Sequence, residues 1–71
     1  MNEKLKAIFK QQYNITYQKA RDLHDFIYNK KTDYDALESD MQISLVILLH
    51  KMWDECEIYK IMLKRMGEEI D

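Results

Sequence analysis

Residues 41–53 read MQISLVILLHKMW, and a helix through them is apolar on nearly every side. The chain has only 71 residues, so one other long helix is available to cover that run. One helix covers one face. The remainder has to meet another chain, and the run therefore implies two things at once: an all-α antiparallel two-helix hairpin, and a hairpin that oligomerises into a helical bundle. A dimeric four-helix bundle is the simplest form.

Composition agrees. There is no proline, one glycine (Gly67), 46 % hydrophobic and 34 % charged residues, which is neither a disordered nor a β composition. The length fits a single domain over residues 1–71. Ordering such a chain costs on the order of 100 kcal/mol at roughly 1.5 kcal/mol per residue, and a core this small needs help from staples, metals or self-association. Cys56 is the only cysteine, so no disulfide forms within the chain. One cysteine and two histidines do not make a structural zinc site, and no cofactor is expected. Self-association is the device left.

The longest apolar run, residues 43–49, is broken by Ser44 and falls far short of the roughly 20 residues of a membrane span. No secretory signal precedes it, so a cytoplasmic protein is expected. The net charge of −2 argues against binding duplex nucleic acid, but the charge is uneven. Residues 1–31 carry seven Lys/Arg and three Asp/Glu, whereas residues 32–71 carry four and ten. Antiparallel pairing lays the basic half beside the acidic half. A basic ligand surface on the first helix is the alternative.

Helix 1 is predicted over about residues 2–29, with Asn2 as cap and Glu3 in the first turn, where the helix dipole favours an acid. Phe9, Tyr13, Thr16, Ala20, Leu23 and Ile27 recur at alternating spacings of four and three, a heptad seam. Residues 30–34 form the turn. Helix 2 is predicted over about 35–67, begun by a capping box at Thr32 or Asp35 and stopped by Gly67. Its inner face reads Leu37, Met41, Leu45, Leu48, Met52, Cys56, Tyr59, Leu63 and Met66. Folding the chain about residue 32 sets Ala20 against Leu45, Thr16 against Leu48 and Phe9 against Cys56. In that register Leu63, Met66 and Ile70 overhang. The oligomer interface is then expected at Ile43, Val46, Ile47, Leu48, Trp53, Leu63 and Met66.

Chemistry is sparsely signalled. His50, Asp54 and Glu57 share one side of helix 2, yet they lack the repeated Glu-x-x-His pairs of bundle metal sites, so no metal is expected. Cys56 sits on the inner face with no histidine in reach and reads as a small hydrophobe, not a nucleophile. The chain is expected to be no enzyme. One stripe beside the first seam stands out: Lys10, Asn14, Tyr17, Arg21, His24 and Tyr28. Tyrosines can stack on a base while Lys, Arg and protonated His contact a phosphate, so the stripe suits a nucleotide-like anionic ligand. Equally, Tyr and Arg are enriched at the borders of protein interfaces.

The run Ala20-Arg21-Asp22-Leu23-His24-Asp25-Phe26-Ile27, a short polar turn, then Leu48-Leu49-x-x-Met52 and Tyr59-x-x-Met62-Leu63 resembles small early-region phage proteins built as one helical hairpin. The layout is also similar to the hairpin domain of phage anti-defence sponges, which oligomerise and sequester cyclic-nucleotide signals. The sponge signature of arginine, glutamate and threonine at the start of the second helix is absent, Asp35-Ala36-Leu37-Glu38 standing there. The resemblance spans roughly residues 15–66. It implies a non-enzymatic counter-defence protein of a phage or mobile element that occupies a host protein or sequesters a small anionic signal. The alternative is an assembly protein whose function is self-association.

Overall fold

The computed structural model describes residues 3–67, which form three helices: α1 (Glu3–Asn29), α2 (Lys31–Asp35) and α3 (Ser39–Arg65). The two long helices lie side by side and antiparallel, since Phe9 meets Tyr59 (ring centroids 5.9 Å apart) and Tyr17 meets Trp53 (5.6 Å). The result is a rod about 49 Å long and under 20 Å across.

The seam of α1 is the one its spacing predicts. Thr16, Ala20 and Ile27 are buried, and Phe9, Tyr13 and Leu23 are half-buried. Ala20 has no exposed surface at all. Its methyl group, together with the short Thr16, lets α3 come close, and Ala20, Ile27 and Leu49 form the central cluster. Asn2, the expected cap, and Ile70 lie outside the described residues.

The segment between the long helices departs from expectation. Residues 30–34 are not a bare turn: α2 occupies Lys31–Asp35, and the second long helix begins at Ser39, not at 35. The caps proposed at Thr32 and Asp35 do not start it. Its N-cap is Glu38, in extended backbone and without a side-chain hydrogen bond. The reason lies in Tyr34 and Gln42. Tyr34 packs against the core cluster and its hydroxyl donates to the Gln42 carbonyl (3.0 Å). The Gln42 amide donates in return to the carbonyls of Tyr34 (2.9 Å) and Leu37 (3.1 Å). These bonds satisfy main-chain acceptors that a continuous helix would use itself, so the chain turns through 36–38. At the far end the sequence reading holds. α3 stops at Arg65, and Gly67 takes φ +88°, donating its N–H to the Lys64 carbonyl at 3.1 Å. A Cβ disfavours that left-handed backbone.

The extra helix changes the register. Ala20 packs with Leu49, one turn beyond Leu45. Thr16 meets Glu55, two turns beyond Leu48, and Phe9 meets Tyr59 where Cys56 was expected. The inner face of α3, continued by its C-cap Met66, is Leu45, Leu49, Met52, Cys56, Tyr59, Leu63 and Met66, spaced by four and three like its partner seam. Leu48 and Met41, assigned to that face from sequence, are 44 % and 51 % exposed. Leu63, assigned to an overhang and an oligomer interface, has no exposed surface. It therefore has nothing left to offer a second chain.

The neighbouring leucines provide a test of this register. Leu49→Ala and Leu63→Ala should each lower stability in urea unfolding by about 2–5 kcal/mol, the range for emptying a packed leucine site. Leu48→Ala should stay within about 1 kcal/mol of the parent. Equal losses at Leu48 and Leu49 would contradict the packing described.

Candidate functional site

The predicted basic-aromatic stripe divides in the folded chain. Tyr17, Arg21 and His24 come together with Trp53 of α3, and with Asp25 and Asn29, to line an open groove of about 310 Å³. Lys10, Asn14 and Tyr28 are not part of it; Tyr28 sits against the His24 ring, centroids 4.5 Å apart. A second, smaller groove of about 240 Å³ continues along the same flank, lined by Tyr13, Tyr17, Trp53, Cys56, Glu57 and Lys60. Tyr17 and Trp53 form the ridge between the two. Their rings meet edge to face at 70°, and Tyr13 stacks on Tyr17 at 5.8 Å, geometries that aromatic quadrupoles favour.

Three groove residues escaped the sequence reading. Trp53 is expected from the sequence at the oligomer interface, with the other apolar residues outside the inner face of helix 2; in the folded chain it meets Tyr17. Asp25 and Asn29 follow Arg21 at successive intervals of four, so helical spacing alone places them beside it. Asn29 donates to the Asp25 carboxylate. Asp25 matters for chemistry, because a carboxylate beside Arg21 offsets much of the positive charge that the stripe brings. The groove combines the Tyr17 and Trp53 rings with the His24 imidazole, one guanidinium and one carboxylate, a lining suited to a planar group of low charge.

On the core side of this flank, ionisation is suppressed. Burial, with the charge of Glu55 added, raises the Cys56 thiol above its ordinary value of 9.0. That is the reverse of an activated cysteine nucleophile. Burial also raises Tyr13 and Tyr59; Tyr59 is held further by its hydrogen bond to Glu55. The Thr16 hydroxyl donates to the same carboxylate at 3.4 Å. Among the described residues no three His, Cys, Asp or Glu side chains are grouped to hold a metal ion, and no helix is long and apolar enough to cross a membrane.

The expected interface residues divide as well. Val46 and Trp53 are half-buried against the core cluster, Met66 is half-buried and Leu63 is buried, while Ile43, Ile47 and Leu48 stay exposed. At 3.6 residues per turn, Ile43, Ile47, Ile58 and Ile61 fall within about 60° of one another on the side of α3 turned away from α1. Met41 and Leu48 fall on the flank opposite the groove, as do Leu5, Ile8 and Ile15 of α1. The two sets are separate faces.

The raised thiol and phenol values have a measurable consequence. A group whose value is raised by folding stabilises the fold while protonated, and that contribution is lost as pH climbs through the folded value. Stability should therefore fall as pH rises past about 9, where the thiol of the unfolded chain begins to ionise ahead of the folded one. Urea midpoints measured across that range check it, and Cys56→Ala should reduce the slope near pH 9. A midpoint that rises there would contradict the burial of these groups.

Comparison with family models, with curated proteins and with solved structures returns no significant match.

Proposed function

We propose that this chain is a non-enzymatic, self-associating binding module, a counter-defence protein of a phage or mobile element that works in the host cytoplasm by occupying the surface of a host protein. The observation that carries the reading is the distribution of apolar side chains. Among the described residues, eleven large hydrophobic side chains are exposed, against five hydrophobic residues in the core. Scattered exposed leucines and isoleucines are ordinary, but contiguous exposed faces mark interaction surfaces. Among the described residues there is no third long helix to cover them, α2 being five residues at the connection. The phage setting follows from the resemblance of the two-helix layout to small early phage proteins, and in an assembly protein the same faces would make self-association the function itself.

A second reading is favoured by the groove at Tyr17, Arg21, His24 and Trp53. There the chain sequesters a small anionic signal, its planar part against the aromatic ridge and its charge on Arg21.

Two measurements separate these readings. Sedimentation velocity at micromolar concentrations should give a mass that is a multiple of 8.7 kDa; a well-folded monomer throughout would overturn self-association. The double variant Tyr17→Ala/Arg21→Ala should leave the oligomer mass unchanged, because both side chains lie on the groove flank, away from the exposed isoleucines. If the groove holds a nucleotide, the parent should release heat on titration with linear or cyclic nucleotides, more weakly at high salt, and the double variant none. No heat with the parent would remove the second reading.

A further inference from the structure

The outward line of α3 carries a pattern that the single hairpin does not use. Ile43 (61 % exposed), Ile47 (51 %), Ile58 (56 %) and Ile61 (47 %) follow one another along it, with exposed His50 and Asp54 between the two isoleucine pairs. Asp40 extends the line at the start of the helix and Arg65 at its end. Neither the His50 nor the Asp54 side chain has a hydrogen bond or ion pair among the described residues. Successive positions lie three or four residues apart, the spacing of a seam awaiting a partner helix.

The order of residues along this line is complementary to its own reverse. Turned end for end about the level of Met52, Ile43 falls opposite Ile61, Ile47 opposite Ile58, His50 opposite Asp54 and Asp40 opposite Arg65. Every apolar position meets an apolar one, and every charged or basic position meets its opposite. A two-fold interface needs this property, because each contact between positions i and j occurs twice. Parallel pairing fails the same test: His50 would meet His50 and Asp54 would meet Asp54. An unrelated partner helix would need none of this symmetry.

We propose that two copies of this chain pair antiparallel along the outward face of α3, about a two-fold axis at the level of Met52. This rests on the reading of the chain as self-associating and specifies its face and direction. The four isoleucines of each copy form the apolar layers. His50 against the partner's Asp54, made twice at the centre, fixes register and orientation, as polar positions inside helical seams do. The groove at Tyr17 and Trp53 lies on the flank and remains open in the dimer.

The experiment pairs spin-label distances with sedimentation. Single labels go on Lys51→Cys or Lys64→Cys in a Cys56→Ala background. In the antiparallel dimer the Lys51 labels sit beside the axis, close to the interaxial spacing of about 8–10 Å plus the label arms. The Lys64 labels are separated by a further axial distance of about 36 Å, at 1.5 Å per residue. Short distances at both sites would mean parallel pairing and would overturn the proposal. Ile47→Asp should weaken the dimer at least about a hundredfold by placing a carboxylate in an apolar layer. Ile15→Asp, on the other exposed face, should leave it within a few-fold; the opposite ranking would move the interface to that face. His50→Asp should weaken the dimer about tenfold, and His50→Asp/Asp54→His should restore it to within a few-fold, a rescue that does not depend on how well the monomer folds. A parent dimer without rescue would reject this face while keeping self-association. A parent monomer would reject both.

Discussion

Close approach of the two long helices at Ala20 is the constraint on which the rest of the molecule depends. Ala20 is sealed from solvent with Ile27 and Leu49 around it, and a longer side chain there would push α3 outward along much of its length. Because the seam is narrow at this point, Thr16, Cys56 and Leu63 can also close over it. The interior is one seam thick. A hairpin with so thin a core leaves most of its apolar surface outside, and the surplus is a consequence of the architecture as much as of composition.

That economy explains how polar groups are used. Glu55 receives the Thr16 hydroxyl, so one carboxylate at the seam's edge satisfies a buried hydroxyl. Gln42 performs a similar service at the connection, closing the carbonyls of Tyr34 and Leu37. In both places a side chain supplies partners that main chain or water would otherwise have to provide. Elsewhere polar residues lie on flanks, where the groove beside Arg21 and the outward line of α3 remain available for contact with other molecules.

The two long helices, the α1 seam and the stop at Gly67 were legible in the sequence because each rests on local chemistry: heptad spacing over Phe9 to Ile27, and the left-handed backbone that glycine accepts. The register was not. It depends on how many residues the connection consumes, and that was settled by Tyr34 packing inward and Gln42 bonding back across eight residues, a tertiary arrangement that no capping signal at Thr32 or Asp35 encodes. From that shift follow the exchange of Leu48 for Leu49, the burial of Leu63 and the meeting of Trp53 with Tyr17. The stripe on α1 was found in part: spacing identified Tyr17, Arg21 and His24, while the α3 half of the groove required the register. Residues 41–53 gave the apolar surplus correctly but could not say which side would be covered.

In the proposed dimer a second copy running antiparallel along α3 closes the apolar surplus. Isoleucine methyl spectroscopy tests it most directly. On one helix Ile43 and Ile61 lie about 27 Å apart at 1.5 Å per residue, too far for a nuclear Overhauser effect within one chain. In a sample mixing two differently labelled populations, the account predicts a cross-peak between Ile43 of one copy and Ile61 of the other. A dimer showing intermolecular cross-peaks only from Ile8 and Ile15, with none between Ile43 and Ile61, would contradict it.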